Sequence, residues 1–164
     1  MNMIKKLFPK TYEEVTREIV EEVKKASPNL QKAVINHGTK NRVEGASGYS
    51  HQIDVSIEIL GEKLFLVECK RYKSKVTLSD MLVLIARIDD ICKKKKTKVI
   101  GTFFTTIGYT KPARKVGSYY NIELNTVKNS KHFAVQVAGN VFVKPEPFEI
   151  GCSISGNFID QNDA

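Results

Sequence analysis

The sequence has few cysteines and no long apolar run, and each absence excludes a class of protein. The three cysteines, Cys69, Cys92 and Cys152, are odd in number and widely spaced, with no CxxC pair. This argues against a disulfide framework or a zinc site and fits a reducing cytosol. No window approaches the roughly 18 apolar residues of a membrane span. The first residues, MNMIKKLFPK, are basic but lack the apolar run of a secretory signal. We therefore expect a cytoplasmic protein that does not act in a membrane.

Acidic residues are in the minority, and their distribution is uneven. The 164 residues carry a net charge of +8, with 41% hydrophobic and 27% charged residues, which is typical of one globular domain. Residues 132–164 have a net charge of −3, so the first 131 residues carry a net +11. A basic body of this kind favours polyanionic partners, nucleic acid first and an anionic membrane surface second.

A helix is predicted near the start of the chain, over residues 12–26 with Thr11 as its N-cap. Apolar residues recur there at helical spacing and form one stripe. Glu18 and Glu22 lie beside that stripe rather than opposite it. One of them could reach inward to a site. The alternative is a solvated acidic flank with Glu-to-Lys pairs.

Strands and helices then follow in an order typical of a layered α/β domain. The predicted strands cover residues 33–43 (interrupted at Gly38), 52–59, 64–72, 99–105 and 121–127. One predicted helix begins at a cap formed by Thr77 or Ser79 and runs to about Lys95, and a short one is capped by Thr110. Together with the first helix, this order predicts a three-layer αβββαβ core around a mixed central sheet. We assign residues 1–131 to this domain.

The last part of the chain is predicted to be rich in β-structure. Residues 132–144, HFAVQVAGNVFVK, alternate as a hairpin would, with Gly139-Asn140 at the turn. Residues 132–164 therefore form a predicted β-rich extension, either packed on the same domain or partly disordered.

The second and third predicted strands carry polar residues where a strand core should be apolar. At period 2, Glu68 and Lys70 point to one face of their strand and Cys69 to the other. Glu-x-Lys alone is a weak signal, because a second copy occurs in the first helix. Asp54 is the natural partner, but a two-residue turn would place it opposite Cys69, on the wrong side. We therefore predict an odd-length loop or a bulge, which brings Asp54 opposite Glu68 or Lys70.

This arrangement predicts a metal site beside a phosphate. Asp54 and Glu68 would bind Mg²⁺, or Mn²⁺ as a substitute, with the carbonyl of Cys69 as a further ligand. Lys70 would orient or activate a metal-bound water or stabilise charge on the phosphate. His51 and Gln52 could contact the phosphate or that water. The alternative is a buried Asp54–Lys70 salt bridge, with His51 as a capped loop residue.

Basic residues around this stretch favour a polyanionic substrate. The candidates for phosphate contacts beyond the strand end and on the short helix are Arg71, Lys73, Lys75, Lys111, Arg114 and Lys115. No helix-turn-helix, zinc finger or aromatic stacking platform indicates base recognition.

Taken together, the segments YEEV, REIVEEV, GASGYSHQIDV, VECKRY and FFTTIGYTKPA resemble the PD-(D/E)XK nuclease superfamily, in particular its Mrr-like restriction endonuclease branch. The resemblance covers about residues 11–127. It implies a restriction-endonuclease-like fold, Mg²⁺-dependent cleavage of phosphodiester bonds in DNA and a catalytic set of Asp54, Glu68 and Lys70. The acidic residue that the family carries on its first helix would be Glu18, with Glu14 and Glu22 as competitors.

The sequence departs from that family in two respects. Ile53 stands where the superfamily name has proline, and the segment after Val127 matches nothing in it. The resemblance also implies a possible homodimer. We expect a restriction or defence endonuclease. The alternatives are a structure-selective nuclease of the junction-resolvase type and a catalytically silent DNA-binding module of the same fold.

Overall fold

The computed structural model describes Glu18, Glu21, Glu22, Lys25 and residues 33–59, 61–70 and 74–142. Glu18, Glu21, Glu22 and Lys25 are helical, in agreement with the predicted first helix, whose other residues lie outside the described ones. In the described chain the strands are β1 (Ala33–His37), β2 (Arg42–Glu44), β3 (Ser50–Gln52), β4 (Val55–Ile59), β5 (Lys63–Lys70), β6 (Lys98–Thr105) and β7 (Glu123–Thr126), and the helices are α1 (Leu78–Lys94), α2 (Lys111–Tyr119) and α3 (Ser130–Phe142).

Five of these strands form one mixed sheet in the order β1-β4-β5-β6-β7, and β2 and β3 form a separate antiparallel pair. The β1–β4 and β4–β5 pairs are antiparallel, whereas β5–β6 and β6–β7 are parallel. The α/β class and mixed sheet predicted from the sequence are therefore confirmed. β5 is the central strand, and its buried Leu64–Val67 run agrees with that position.

The connection between β4 and β5 has the odd length that the sequence analysis predicts. Ile59 pairs with Lys63, so three residues separate the two paired positions, and Gly61 takes a φ of +79°. The same register, continued by one residue from the Val55–Val67 pair, sets Asp54 opposite Glu68. Asp54 itself lies in a bend just before β4 rather than inside a strand. The predicted strand over 52–59 is broken there because the chain passes from the two-stranded to the five-stranded sheet.

The two faces of the sheet are packed differently. On one face, α3 covers an apolar cluster that includes Val67, Cys69 and Phe104. On the other face, α1 and α2 cover a second cluster that includes Leu66 and Phe103. Because β5 alternates, Glu68 and Lys70 point to the α1 face.

The predicted cap of α2 is confirmed, and of the two predicted caps of α1, Thr77 rather than Ser79 is the one that the structure has. Thr77 caps α1 in a capping box with Asp80, and the Thr110 side chain accepts a hydrogen bond from the backbone of Ala113 at the start of α2. These caps fix the ends of α1 and α2 that lie nearest the carboxyl ends of β5 and β6.

The hairpin predicted over residues 132–144 is wrong, because residues 130–142 form helix α3. Phe133, Ala134, Val137 and Ala138 recur at helical spacing, and all four are buried against the sheet. Packing of this stripe onto the sheet outweighs the β-propensity of the valines. The extension is therefore helical, not β-rich, as far as residue 142 and packs on the same domain. Residues 143–164 lie outside the described residues.

The state of the cysteines and the hydrophobicity of the helices can be compared with the sequence in the described chain. Cys69 has a free thiol, but Cys92 is disulfide-bonded, which departs from the expectation of fully reduced cysteines. None of the helices that the structure describes is long and apolar enough to cross a membrane.

Candidate active site

Two carboxyl groups meet at the end of β5, on the face covered by α1. Asp54 and Glu68 are only 2% and 7% exposed, and the strand register sets them opposite each other. Each carboxyl group lies close enough to the other to shift its pKa. The sequence prediction that these two residues share a site is therefore reproduced in the geometry, while their catalytic role stays a prediction.

The electrostatic state of this pair is unfavourable for two negative charges. Burial raises the pKa of Asp54, although hydrogen bonds from the backbone of Cys69 and from Glu68 oppose the rise. Burial also raises the pKa of Glu68, and the negative charge of Asp54 raises it further, whereas Arg87 lowers it. The two groups therefore hold a shared proton more readily than isolated carboxylates do.

The position of Asp54 is fixed from several sides. Its Oδ2 accepts a hydrogen bond from the backbone N–H of Cys69 at 2.9 Å, and its carbonyl accepts one from Gly38 at 3.1 Å. Gly38 has a φ of +88°, which favours glycine at that turn. The bend that carries Asp54 is thus tied both to β5 and to the turn after β1.

Asn41 supports the same bend and was missed by the sequence analysis. It is 7% exposed, and its Nδ2 donates to the carbonyls of Ile53 at 2.9 Å and Asn36 at 3.3 Å. Its Oδ1 accepts a hydrogen bond from Ser56 Oγ at 3.1 Å. No local pattern announces these contacts, because they join residues 5, 12 and 15 positions apart.

Arg87 is the second residue that the sequence analysis missed. It donates to Glu68 Oε1 at 2.7 Å and to the carbonyl of Gln52 at 3.3 Å. A signal was available: Leu84, Ile88 and Ile91 belong to the buried face of α1, and Arg87 lies at the edge of that face by helical spacing. A cation there requires an anionic partner.

Lys70 is paired with Asp80 of α1, so the alternative of an Asp54–Lys70 salt bridge is wrong. Partial burial would raise the pKa of Asp80, but hydrogen bonds from Lys70 and Thr77 hold it below its ordinary value.

A pocket of about 210 Å³ opens beside this ion pair. It is lined by Glu68, Cys69, Lys70, Ser79, Asp80, Val83, Leu84, Arg87 and Phe103. Glu68 and Lys70 therefore both reach one concave surface.

His51 and Gln52, which are predicted to contact the phosphate or a metal-bound water, make contacts with residues of α1. His51 Nε2 lies 2.7 Å from Asp90 Oδ2 near the end of α1, and the Gln52 side chain is exposed while its carbonyl accepts the bond from Arg87. Glu18 is helical and half-buried. The catalytic roles of these three residues stay predictions.

The chemistry of the carboxyl pair fits a divalent cation. Carboxylate oxygens are the ligands that Mg²⁺ and Mn²⁺ prefer, and a dication would relieve the repulsion within the pair. Within the described residues, no cluster of three or more His, Cys, Asp and Glu side chains could hold a metal. A cation here would need Asp54, Glu68, the carbonyl of Cys69 and water as its ligands, since Mg²⁺ usually keeps several waters.

The described candidates for DNA contacts are all exposed. Lys111, Arg114 and Lys115 lie on α2, and Lys75 precedes the isolated bridge between Val76 and Tyr109. That bridge brings Lys75 beside the start of α2. Arg71 and Lys73 lie outside the described residues.

One family model and several solved structures are similar to this chain. The Mrr catalytic-domain family model, described as restriction endonuclease, matches residues 6–130. The comparison with curated proteins finds no match.

Among solved structures, the chain is similar to a protein of unknown function, AF1548, with 20% sequence identity over 74% of this chain and 63% of that chain and a TM-score of 0.49. It is similar to a repair endonuclease from Pyrococcus abyssi, with 16% identity over 73% of this chain and 49% of that chain and a TM-score of 0.43. It is also similar to the MspJI restriction endonuclease solved with a 27-mer oligonucleotide, with 17% identity over 80% of this chain and 28% of that chain and a TM-score of 0.41. The chain thus spans less than two thirds of each of these proteins.

Proposed function

We propose that this chain, which belongs to the restriction endonuclease family, is a metal-dependent endonuclease that hydrolyses phosphodiester bonds in DNA. Family membership accounts for the restriction-endonuclease-like α/β fold. The observation that carries the proposal is the buried Asp54–Glu68 pair. Burial raises the pKa of both groups, and the charge of Asp54 raises that of Glu68 further. Glu68 lines the same pocket as Lys70. Such perturbed pairs are typical of catalytic sites.

The proposed roles follow from the contacts. Asp54, Glu68 and the Cys69 carbonyl would hold Mg²⁺ or Mn²⁺, which when bound supplies an acidified water and neutralises charge on the phosphate. Lys70, held by Asp80 at the pocket wall, directs a positive charge toward the position where negative charge develops. Glu18 stays the candidate for an additional acid.

DNA is the proposed substrate because the first 131 residues are strongly basic and the exposed cations lie beyond the carboxyl ends of β5 and β6. Lys75, Lys111, Arg114 and Lys115 would contact phosphates there, with Arg71 and Lys73 as further candidates. A role in restriction or defence, a homodimer and a cytoplasmic location are part of this proposal.

A silent DNA-binding module is the alternative from another class. A module that only binds DNA needs no pair of buried carboxyl groups, and such a pair is electrostatically costly. The cost is understandable if a cation binds between them. The site therefore favours the enzyme.

The test is cleavage of linear, methylated and branched DNA with Mg²⁺ by the wild type, Asp54→Ala and Lys70→Ala. We expect the wild type to cut and both variants to lose about 10³-fold in rate, because each removes charge stabilisation at the reacting phosphate. Asp89→Ala is the matched control, since Asp89 pairs with Lys93 on the surface of α1 at 2.7 Å and should cut as the wild type does.

Equal cutting by the two site variants and the wild type would overturn the assignment to this pocket. Binding of DNA without cleavage of any form would instead support the silent module. Preference for branched over linear DNA would replace the restriction role by the junction-resolvase alternative.

A further inference from the structure

Arg87 has a place in the pocket that the proposed catalytic set does not use. Its guanidinium donates to Glu68 Oε1 at 2.7 Å, with side-chain exposures of 32% for Arg87 and 10% for Glu68. One oxygen of a proposed metal ligand is therefore already neutralised by a protein cation, and that cation also borders the open pocket.

We propose that Arg87 holds Glu68 in the cation-free protein, is displaced from it when a divalent cation binds, and then contacts a phosphate of the DNA. The inference rests on the proposed function, because it requires the cation site at Asp54 and Glu68.

Electrostatics makes the two occupancies compete. The guanidinium and a dication would both bind Glu68, and their like charges repel each other across a short distance in a partly buried site. The guanidinium satisfies Glu68 while no cation is present, which prevents an unpaired buried charge. When a dication takes over that function, the guanidinium needs a new anionic partner. Its planar fork matches the geometry of phosphate.

A second ion pair on α1 shows why Arg87 is the movable member. Asp80 and Arg87 lie two turns apart on one face of α1, and each pairs with a charge of the Glu68-Cys69-Lys70 segment. Asp80 is also fixed by hydrogen bonds from Thr77 at 2.7 and 2.6 Å in the capping box. The second contact of Arg87 is a longer bond of 3.3 Å to a backbone carbonyl. Arg87 can therefore leave with less disruption than Asp80.

The first test measures Mg²⁺ binding by calorimetry without DNA, in the wild type, Asp54→Asn, Arg87→Gln, Arg87→Lys and Lys93→Gln. We expect Arg87→Gln to bind about tenfold more tightly, because the competing charge is gone. Arg87→Lys, which keeps the charge, should stay close to the wild type. Lys93→Gln breaks a surface pair on the same helix and should change nothing. About pH 9 is suitable, so that a proton does not replace the guanidinium on the carboxyl pair.

The second test measures the salt dependence of DNA binding in a Lys70→Met background, which prevents cleavage. With Mg²⁺ present, Arg87→Gln should reduce the slope of log K against log salt by about one, the signature of one lost phosphate contact. Without a divalent cation the slope should not change.

The outcomes separate this inference from the proposed function. If the wild type binds Mg²⁺ and Asp54→Asn abolishes that binding, while Arg87→Gln binds no more tightly, the inference fails and the proposed function stands. An unchanged salt slope with Mg²⁺ would overturn the phosphate contact. If the wild type binds no cation at all, both the inference and the metal dependence of the proposed function fail.

Discussion

The carboxylate of Asp90 and the carboxyl pair of Asp54 and Glu68 differ in what surrounds them. Asp90 accepts hydrogen bonds from the N–H and Oγ of Ser47 at 2.8 and 2.7 Å, and His51 Nε2 lies 2.7 Å away. The hydrogen bonds from Ser47, followed by His51, lower the pKa of Asp90 to about 2. Asp54 and Glu68 instead lie against each other in a buried position, and their pKa values are raised.

Asp90 stabilises the fold through its hydrogen bonds. Asp54 and Glu68 are kept together by the surrounding structure although their proximity is unfavourable. Asp90 joins the turn after β2 to α1, and the approach is so close that a Cβ on Gly45 would collide with its carboxylate. The Asp54–Glu68 pair gains no comparable set of donors. An unfavourable arrangement persists only where the surrounding structure imposes it, and such places are commonly functional.

The largest expected effect comes from removing a residue that imposes the arrangement. Asn41→Ala removes the amide that donates to the carbonyl of Ile53, next to Asp54, and to the carbonyl of Asn36 in β1. The bend should then relax and separate Asp54 from Glu68. We expect a loss of about 10–100-fold in Mg²⁺ affinity, the usual consequence of losing a residue that orients a metal ligand. Calorimetry without DNA measures it.

Ser56→Ala is the control for Asn41→Ala. It removes the hydrogen bond to Asn41 Oδ1 but leaves the contact with Ile53 in place, so the loss of affinity should be much smaller. Equal Mg²⁺ affinity in Asn41→Ala and the wild type would mean that the bend is stable without the amide. Asn41 would then not be the residue that keeps Asp54 next to Glu68.

The fold was largely predictable because its signals are local. Alternation in β5, the apolar face of α1 and the caps at Thr77 and Thr110 all lie within a few residues of the elements that they define. α3 was misread because short apolar runs are ambiguous between strand and helix, and packing on the sheet decided the outcome.

The candidate site was predictable only in part. The odd loop between β4 and β5 followed from the need to bring Asp54 and Glu68 to one face. The contributions of Asn41 and Arg87 depend on contacts between distant parts of the chain, which period and propensity do not encode. The contact of His51 with Asp90 is of the same kind, since the two residues are 39 positions apart.

A moderate effect is expected on stability, with a defined pH dependence. Because the pKa values of Asp54 and Glu68 are raised in the folded state, their contribution to stability is complete below about pH 4, the ordinary carboxyl pKa. It is lost as the pH rises through the raised values. Asp54→Asn keeps an acceptor for Cys69 and removes the repulsion. We expect the cation-free variant at about pH 8 to be more stable by about 1 kcal/mol, or roughly 2–4 °C in Tm.

Thermal unfolding at about pH 4 and pH 8, with and without Mg²⁺, checks this prediction. The gain should vanish at the lower pH, where the wild-type pair is protonated, and Mg²⁺ should stabilise the wild type but not the variant. Asp89→Asn, which changes a carboxylate paired with Lys93 on the surface of α1, should show no such gain. A variant that is less stable than the wild type at pH 8 would show that the pair is not strained.

The smallest expected effect is that of Asp90→Asn, which changes the carboxylate that is surrounded by hydrogen-bond donors. The amide keeps an oxygen for Ser47 but loses the charge beside His51, so Tm should fall by only a few degrees. Because the pKa of Asp90 is lowered in the folded state, its contribution is present above about pH 4 and is lost as the pH falls toward 2. The difference in Tm from the wild type should therefore shrink over that range.

Mg²⁺ affinity and the rate of DNA cleavage should stay within about twofold of the wild type, since no step of the proposed chemistry uses this group. A loss of cleavage as large as that of Asp54→Ala, without a loss of folding, would instead place the Asp90–His51 pair in the active site, as the sequence prediction for His51 requires.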